Sequence, residues 1–124
     1  MKPEEYFELH EKLCTEAREL SMRKNNDYAA PDSNKEDPYR VFRNFMQVLA
    51  FGICPVPQGF LVRLSDKFSR LCNILRPGHV RTVLDEKTKD TILDIINYAC
   101  LLYAYLIVKK QEEGGLDDEK EANA

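Results

Sequence analysis

Residues 85–110 read DEKTKDTILDIINYACLLYAYLIVKK, from Asp85 to Lys110, and this stretch decides the fold. From Thr91 to Val108 it is apolar except where Asp94 and Asn97 interrupt it. Asp85 is a suitable N-cap, and Lys109 and Lys110 suit the negative end of a helix dipole. The spacing predicts one long helix over 85–110. Glu86, Asp90, Asp94 and Asn97 follow one another at intervals of four, four and three. That spacing stacks them along one face. Ile92, Leu93, Ile95, Ile96, Tyr98, Ala99, Cys100, Leu101 and Leu102 cover nearly every other direction. A helix apolar on most sides is a core helix, so its carboxylates are expected to face a cleft or a neighbouring helix. At about 20 residues for a membrane span, the interrupted apolar stretch is short, and no span is expected.

Like charges at i,i+4 repel mildly, and burying an unpartnered carboxylate costs several kcal/mol more. The stripe therefore requires cations, either side chains or a divalent metal. The preceding helix supplies side chains. It is expected from Gln58 to Leu75, with Phe60, Leu61, Leu64, Phe68, Leu71 and Leu75 on its apolar positions, and Arg76-Pro77-Gly78 stops it. Arg63, Lys67 and Arg70 recur along it at helical spacing, with Asp66 among them. Guanidinium groups pair with carboxylate or phosphate. On spacing alone, two readings stand: interhelical salt bridges with no ligand, or a site for Mg²⁺ and phosphate.

Upstream, Pro3-Glu4-Glu5 opens a first helix that carries Tyr6, Leu9, Leu13, Ala17 and Leu20 and ends near Lys24. Residues 25–34 are rich in turn formers and make a long loop. Asp37-Pro38 caps a short second helix with Tyr39, Phe42, Phe45, Met46 and Leu49, and Pro55 and Pro57 prevent its continuation. After Gly114-Gly115 the tail is acidic, with almost no large apolar side chain, and is expected to be disordered. The fold class is thus all-α: about four helices in one domain over 1–113, a long loop after the first helix, and an acidic tail over 114–124.

The chain has 124 residues and a net charge of −3. It shows no Lys/Arg-rich face of the kind a duplex-DNA binder carries. Cys14, Cys54, Cys72 and Cys100 form no CxxC pair, so zinc has no support. Lys2-Pro3-Glu4-Glu5 stands where a secretory signal would be apolar. Reduced thiols in a cytoplasm are expected, with Cys72 and Cys100 buried as small hydrophobes inside apolar runs. His10 and His79 are isolated and read as surface or capping residues, and Tyr98, Tyr103 and Tyr105 as packing.

Three segments together resemble a known family. They are Lys24-Asn25-Asn26-Asp27-Tyr28, the run Gly59–Leu71 containing R-x-x-D-K-x-x-R, and the run Asp85–Ala99 containing D-T-x-x-D-x-x-N-Y. In order and spacing they resemble the nucleotide-modification-associated domain, domain 1 type, found in bacteriophages and prophages. That family is distantly similar to the all-α nucleoside triphosphate pyrophosphohydrolases of the MazG and dimeric dUTPase type. The resemblance implies a phage-type, cytoplasmic, nucleotide-handling protein, oligomeric, with no membrane partner. Its leading form is a Mg²⁺-dependent (deoxy)nucleoside triphosphate pyrophosphohydrolase. Asp90 and Asp94 are then the catalytic pair, and Glu86, Asp66, Asp90 and Asp94 the metal ligands. Lys24, Asp27, Tyr28, Arg63, Lys67, Arg70, Asn97 and Tyr98 would hold the substrate. The chain departs from the related enzymes at Thr91, where three residues before Asp94 they carry an acid, and on the earlier helix, where they carry two glutamates. The alternatives are a non-catalytic nucleotide-binding or sequestering protein, and a structural or interaction protein held by interhelical salt bridges.

Overall fold

The last helix, α4, spans Glu86–Ala122, and the other long helices pack on it. The computed structural model describes residues 1–28, 36–78 and 86–122, with side chains described for 1–25, 36–78 and 86–114. The fold is all-α: among the described residues four α-helices and one short 3₁₀ turn, and no strand. Helix α1 is Pro3–Tyr28, α2 is Arg43–Ala50 and α3 is Val56–Ile74, while the 3₁₀ turn Arg40–Phe42 leads directly into α2.

The element order follows the sequence reading, with shifted ends. Helix α1 runs on to Tyr28 because Asn25, Asn26 and Asp27 tolerate a final helical turn although they favour turns. Helix α3 begins two residues early, at Val56, with Pro55 as N-cap and Pro57 inside the first turn, where a missing N–H costs nothing. Helix α4 continues beyond Lys110 through Gly114. A glycine weakens a helix by about 1 kcal/mol relative to alanine without breaking it, and the Glu- and Lys-containing sequence that follows favours helix. The rest of the expected 25–34 loop, residues 79–85 and the side chains of the tail from 115 on fall outside the described residues.

The 3₁₀ turn is prepared by Asp37, whose Oδ1 accepts a hydrogen bond from the Tyr39 N–H at 2.9 Å. Two residues past the end of α2, Gly52, whose φ of +71° suits glycine, turns the chain toward α3. Gly59 lets these two helices close. A β-carbon there would lie 2.9 Å from a Val48 methyl.

The core is small. Phe42, Val56, Phe60 and Tyr105 are buried together, with Phe45, Met46, Leu101 and Leu102 packed round them. Phe45 stacks on Phe60 at 4.4 Å between ring centroids, and Phe42 meets Tyr105 edge-on at 5.6 Å. Tyr39 Oη donates to the Glu112 carboxylate, tying the 3₁₀ turn to the far part of α4. Burial, then the Glu112 hydrogen bond and charge, push the Tyr39 phenol well above its usual range.

Two expectations about burial are corrected. Cys72 and Cys100 are exposed, as is Cys14. The stretch Glu86–Gly114 is, by length and composition, long and apolar enough to cross a membrane, and little of it is buried inside the fold. Helix α4 is covered by α1 and α3 on two sides, and a third side is left bare.

Candidate functional site

Asp94 sits near the middle of α4, where the two long flanking helices meet it. Lys67 Nζ of α3 lies 2.9 Å from one carboxylate oxygen, and Lys24 Nζ of α1 lies 3.2 Å from the other. The Asp94 and Lys67 side chains are only 15% and 17% exposed, whereas Lys24 is 46% exposed. Burial by itself raises the Asp94 carboxyl. The hydrogen bonds and charges of Lys67 and Lys24 outweigh it and hold the group below its ordinary value of 3.8. One turn earlier, Lys89 of α4 pairs with Glu16 of α1 at 2.6 Å.

Beside this junction lies a cavity of about 350 Å³ between α1, the 3₁₀ turn with α2, α3 and α4. Among the described residues its cations are Lys24, Arg40, Arg43 and Arg63, and its one carboxylate is Asp94. Phe45 and Tyr98 give it aromatic walls, meeting edge-on at 5.8 Å. The Arg63 guanidinium lies 4.5 Å from the Phe45 ring centre, a cation–π contact that fixes an otherwise mobile side chain. Asn97 also lines the cavity, and its Nδ2 is buried with no hydrogen-bond partner. A buried amide donor without an acceptor costs about 1–3 kcal/mol, and such an orphan group calls for an occupant that accepts.

Of the residues expected at the site, Lys24, Arg63, Asp94, Asn97 and Tyr98 line the cavity, and Lys67 reaches it through Asp94. Arg70, Asp66, Asp90 and Glu86 are exposed and do not line it. The side chains of Asp27 and Tyr28 fall outside the described residues. Sequence reasoning missed Arg40, Arg43 and Asn44. The only signal was slight: Arg40, Arg43 and Gln47 recur at intervals of three and four across a 3₁₀ turn and a helix of eight residues.

The Mg²⁺ expectation is corrected. Among the described residues no group of three or more His, Cys, Asp or Glu side chains is placed to hold a metal ion. Both Asp94 oxygens face lysine ammonium groups. Thr91 is fully buried, and its hydroxyl donates to the Lys87 carbonyl at 2.7 Å. The donor set does not fit the metal.

No family model, no curated protein and no solved structure matches the chain. With the metal ligands not brought together, the description as a magnesium-dependent, MazG-like phage hydrolase is replaced by a plainer one. The chain is a small all-α helical bundle with a cationic, aromatic-walled cavity.

Proposed function

We propose that this chain binds a nucleotide in the cavity at the α1–α4 junction and holds it without transforming it. The observation that carries this reading is the cavity's charge. Three arginines, Arg40, Arg43 and Arg63, line it besides Lys24, and the one described carboxylate, Asp94, is already paired with Lys24 and Lys67, in a chain whose net charge is −3. Such a lining favours a phosphate. Tyr98 offers a ring for a planar base, Phe45, whose faces are taken by Phe60 and Arg63, offers an edge, and Asn97 Nδ2 supplies a donor for a carbonyl or ring nitrogen. A volume of about 350 Å³ lies at the small end of the range for ligand pockets. The four free thiols fit a reducing cytoplasm. Kinship with the nucleotide-modification-associated domain is proposed on the three segments quoted above.

The test is calorimetric titration of the full chain with nucleoside mono-, di- and triphosphates, with EDTA and with Mg²⁺, followed by chromatography of the recovered ligand. Saturable binding in EDTA, intact ligand, and at least tenfold weakening by Arg43→Ala with Arg63→Ala are expected. Absence of binding, or conversion of the ligand, refutes the reading.

A second reading has its own observation. The Lys24–Asp94–Lys67 bridge joins three helices and is sufficient to explain these residues as structural. On that reading nucleotides leave the thermal midpoint unchanged, because only a ligand that binds the folded state raises it.

A further inference from the structure

The cavity at the α1–α4 junction is rich in groups that seek phosphate, and its one described carboxylate is already engaged. Arg40 reaches the cavity from the 3₁₀ turn, Arg43 from the first position of α2 and Arg63 from α3. Asp94 has Lys67 at 2.9 Å on one oxygen and Lys24 at 3.2 Å on the other. Nucleoside di- and triphosphates chelate Mg²⁺ between neighbouring phosphates. Proteins that take such a complex hold its metal through one or two carboxylates. Here the metal would meet three guanidinium groups, and Asp94 would have to release a lysine to reach it.

A phosphomonoester meets the opposite conditions. Its second ionisation lies at about pH 6, so at neutrality it carries close to two negative charges on three terminal oxygens. It has no neighbouring phosphate with which to close a chelate ring, and it arrives without metal. A planar guanidinium pairs with two of its oxygens at a time, and arginines on separate elements can share them. Asn44 and Gln47, also in the lining, offer neutral amides to a sugar hydroxyl. The volume of about 350 Å³ agrees with the shorter ligand. We infer that the cavity selects a metal-free nucleoside monophosphate, and that Mg²⁺ keeps the di- and triphosphates out of it. The inference rests on the nucleotide reading of this cavity and adds the phosphorylation state of the ligand. Occupancy then follows the monophosphate even where the Mg²⁺-bound triphosphate is in excess.

The test is calorimetric titration of the full chain with nucleosides of the common bases, their 5′-monophosphates, 3′,5′-cyclic monophosphates and 5′-triphosphates, in EDTA and in excess Mg²⁺. The 5′-monophosphate is expected to bind equally well in both. Mg²⁺ is expected to weaken the triphosphate about tenfold or more. The nucleoside and the cyclic monophosphate, which carry none and one of the two charges, are expected to bind about tenfold or more weaker than the 5′-monophosphate. The described charged groups of the lining, Lys24, Arg40, Arg43, Arg63 and Asp94, include no histidine or cysteine to titrate between pH 5 and 8, and Asp94 stays ionised across that range. Affinity for the monophosphate should therefore fall about tenfold from pH 8 to pH 5, as the phosphate itself takes up a proton. Arg43 is exposed, and Arg43→Gln is expected to weaken the monophosphate about tenfold with the helical circular dichroism unchanged. The Mg²⁺ and pH measurements use the unsubstituted chain and stand without the variant. A triphosphate that binds in Mg²⁺ as tightly as the monophosphate, or more tightly than it does in EDTA, overturns the inference and leaves the nucleotide reading standing. So does a monophosphate affinity that is flat from pH 8 to pH 5, or no weaker in a folded Arg43→Gln chain. No saturable binding of any of these nucleotides in EDTA overturns both.

Discussion

Replacing Asp94 by Asn tests the junction directly, and two effects of opposite sign should appear. The first is on stability. The Lys67 pair is largely shielded on both sides, while the Lys24 pair is half exposed on the lysine side. An exposed pair contributes about 0.5 kcal/mol. Removing one partner of a fully buried pair costs about 3–5 kcal/mol, and partial exposure brings that down to roughly 1.5–2. The sum is about 2 kcal/mol, or roughly 8 °C in the thermal midpoint of a domain this size. The pH dependence carries the same signature. The Asp94 carboxyl titrates below its ordinary 3.8 in the folded chain, so its contribution is fully present above about pH 4 and is lost as the pH falls through the folded value. The unsubstituted chain should therefore exceed Asp94→Asn by a constant margin near neutrality, and the margin should close in acid. The second effect is on binding. The substitution removes the cavity's one carboxylate, so phosphate ligands should bind several-fold tighter, by about 1 kcal/mol. Urea unfolding followed by circular dichroism from pH 7 to pH 2, together with calorimetric titration, measures both. Unchanged unfolding free energy, or weaker phosphate binding, refutes the account of the junction.

Gly59→Ala should destabilise by about 1–3 kcal/mol through overpacking, because the new β-carbon would lie 2.9 Å from Val48. Adding Val48→Ala should recover part of the loss in the same denaturant titration. Phe60→Ala removes a fully buried ring stacked on Phe45 and should cost about 3–5 kcal/mol, seen as a large drop in the urea midpoint. The raised Tyr39 phenol contributes stability that is fully present below its ordinary value of 10.0 and is lost as the pH rises toward the folded value. Thermal melts should therefore show an alkaline decline that is reduced in Tyr39→Phe.

Much of the architecture was legible because periodicity is a local property. The run from Thr91 to Val108 announced a long helix, and Pro55 and Pro57 marked the break between α2 and α3. Interhelical salt bridges between the stripe and Arg63, Lys67 or Arg70 were one of the two readings the spacing left open, and the structure makes one at Asp94 and Lys67. Two things were not legible. Arg40 and Arg43 lie on a helix of eight residues and its leading 3₁₀ turn, too short for a persuasive pattern. The exposure of Cys72 and Cys100 could not be read either, because an apolar run looks the same whether its cover comes from its own chain or from elsewhere. The spacing of Glu86, Asp90 and Asp94 suggested a metal site because it placed three carboxylates on one face. It could not show that Asp94 turns into the junction while Asp90 and Glu86 remain exposed.

The order of the helices bears on how the chain is made. Helix α1 emerges from the ribosome before the other described helices, yet its principal packing partner is α4, which emerges after them. Lys24 waits for an aspartate 70 residues downstream, and Tyr39 for a glutamate 73 residues downstream. The α2–α3 contact at Gly59 and Val48 and the α3–α4 contact, by contrast, join helices that are neighbours in sequence. Closing so many long loops at the last step slows folding. During synthesis the apolar positions of α3 therefore stand without α4 until α4 has emerged. Until then that apolar surface faces solvent, where unpaired apolar helices are prone to non-native contacts.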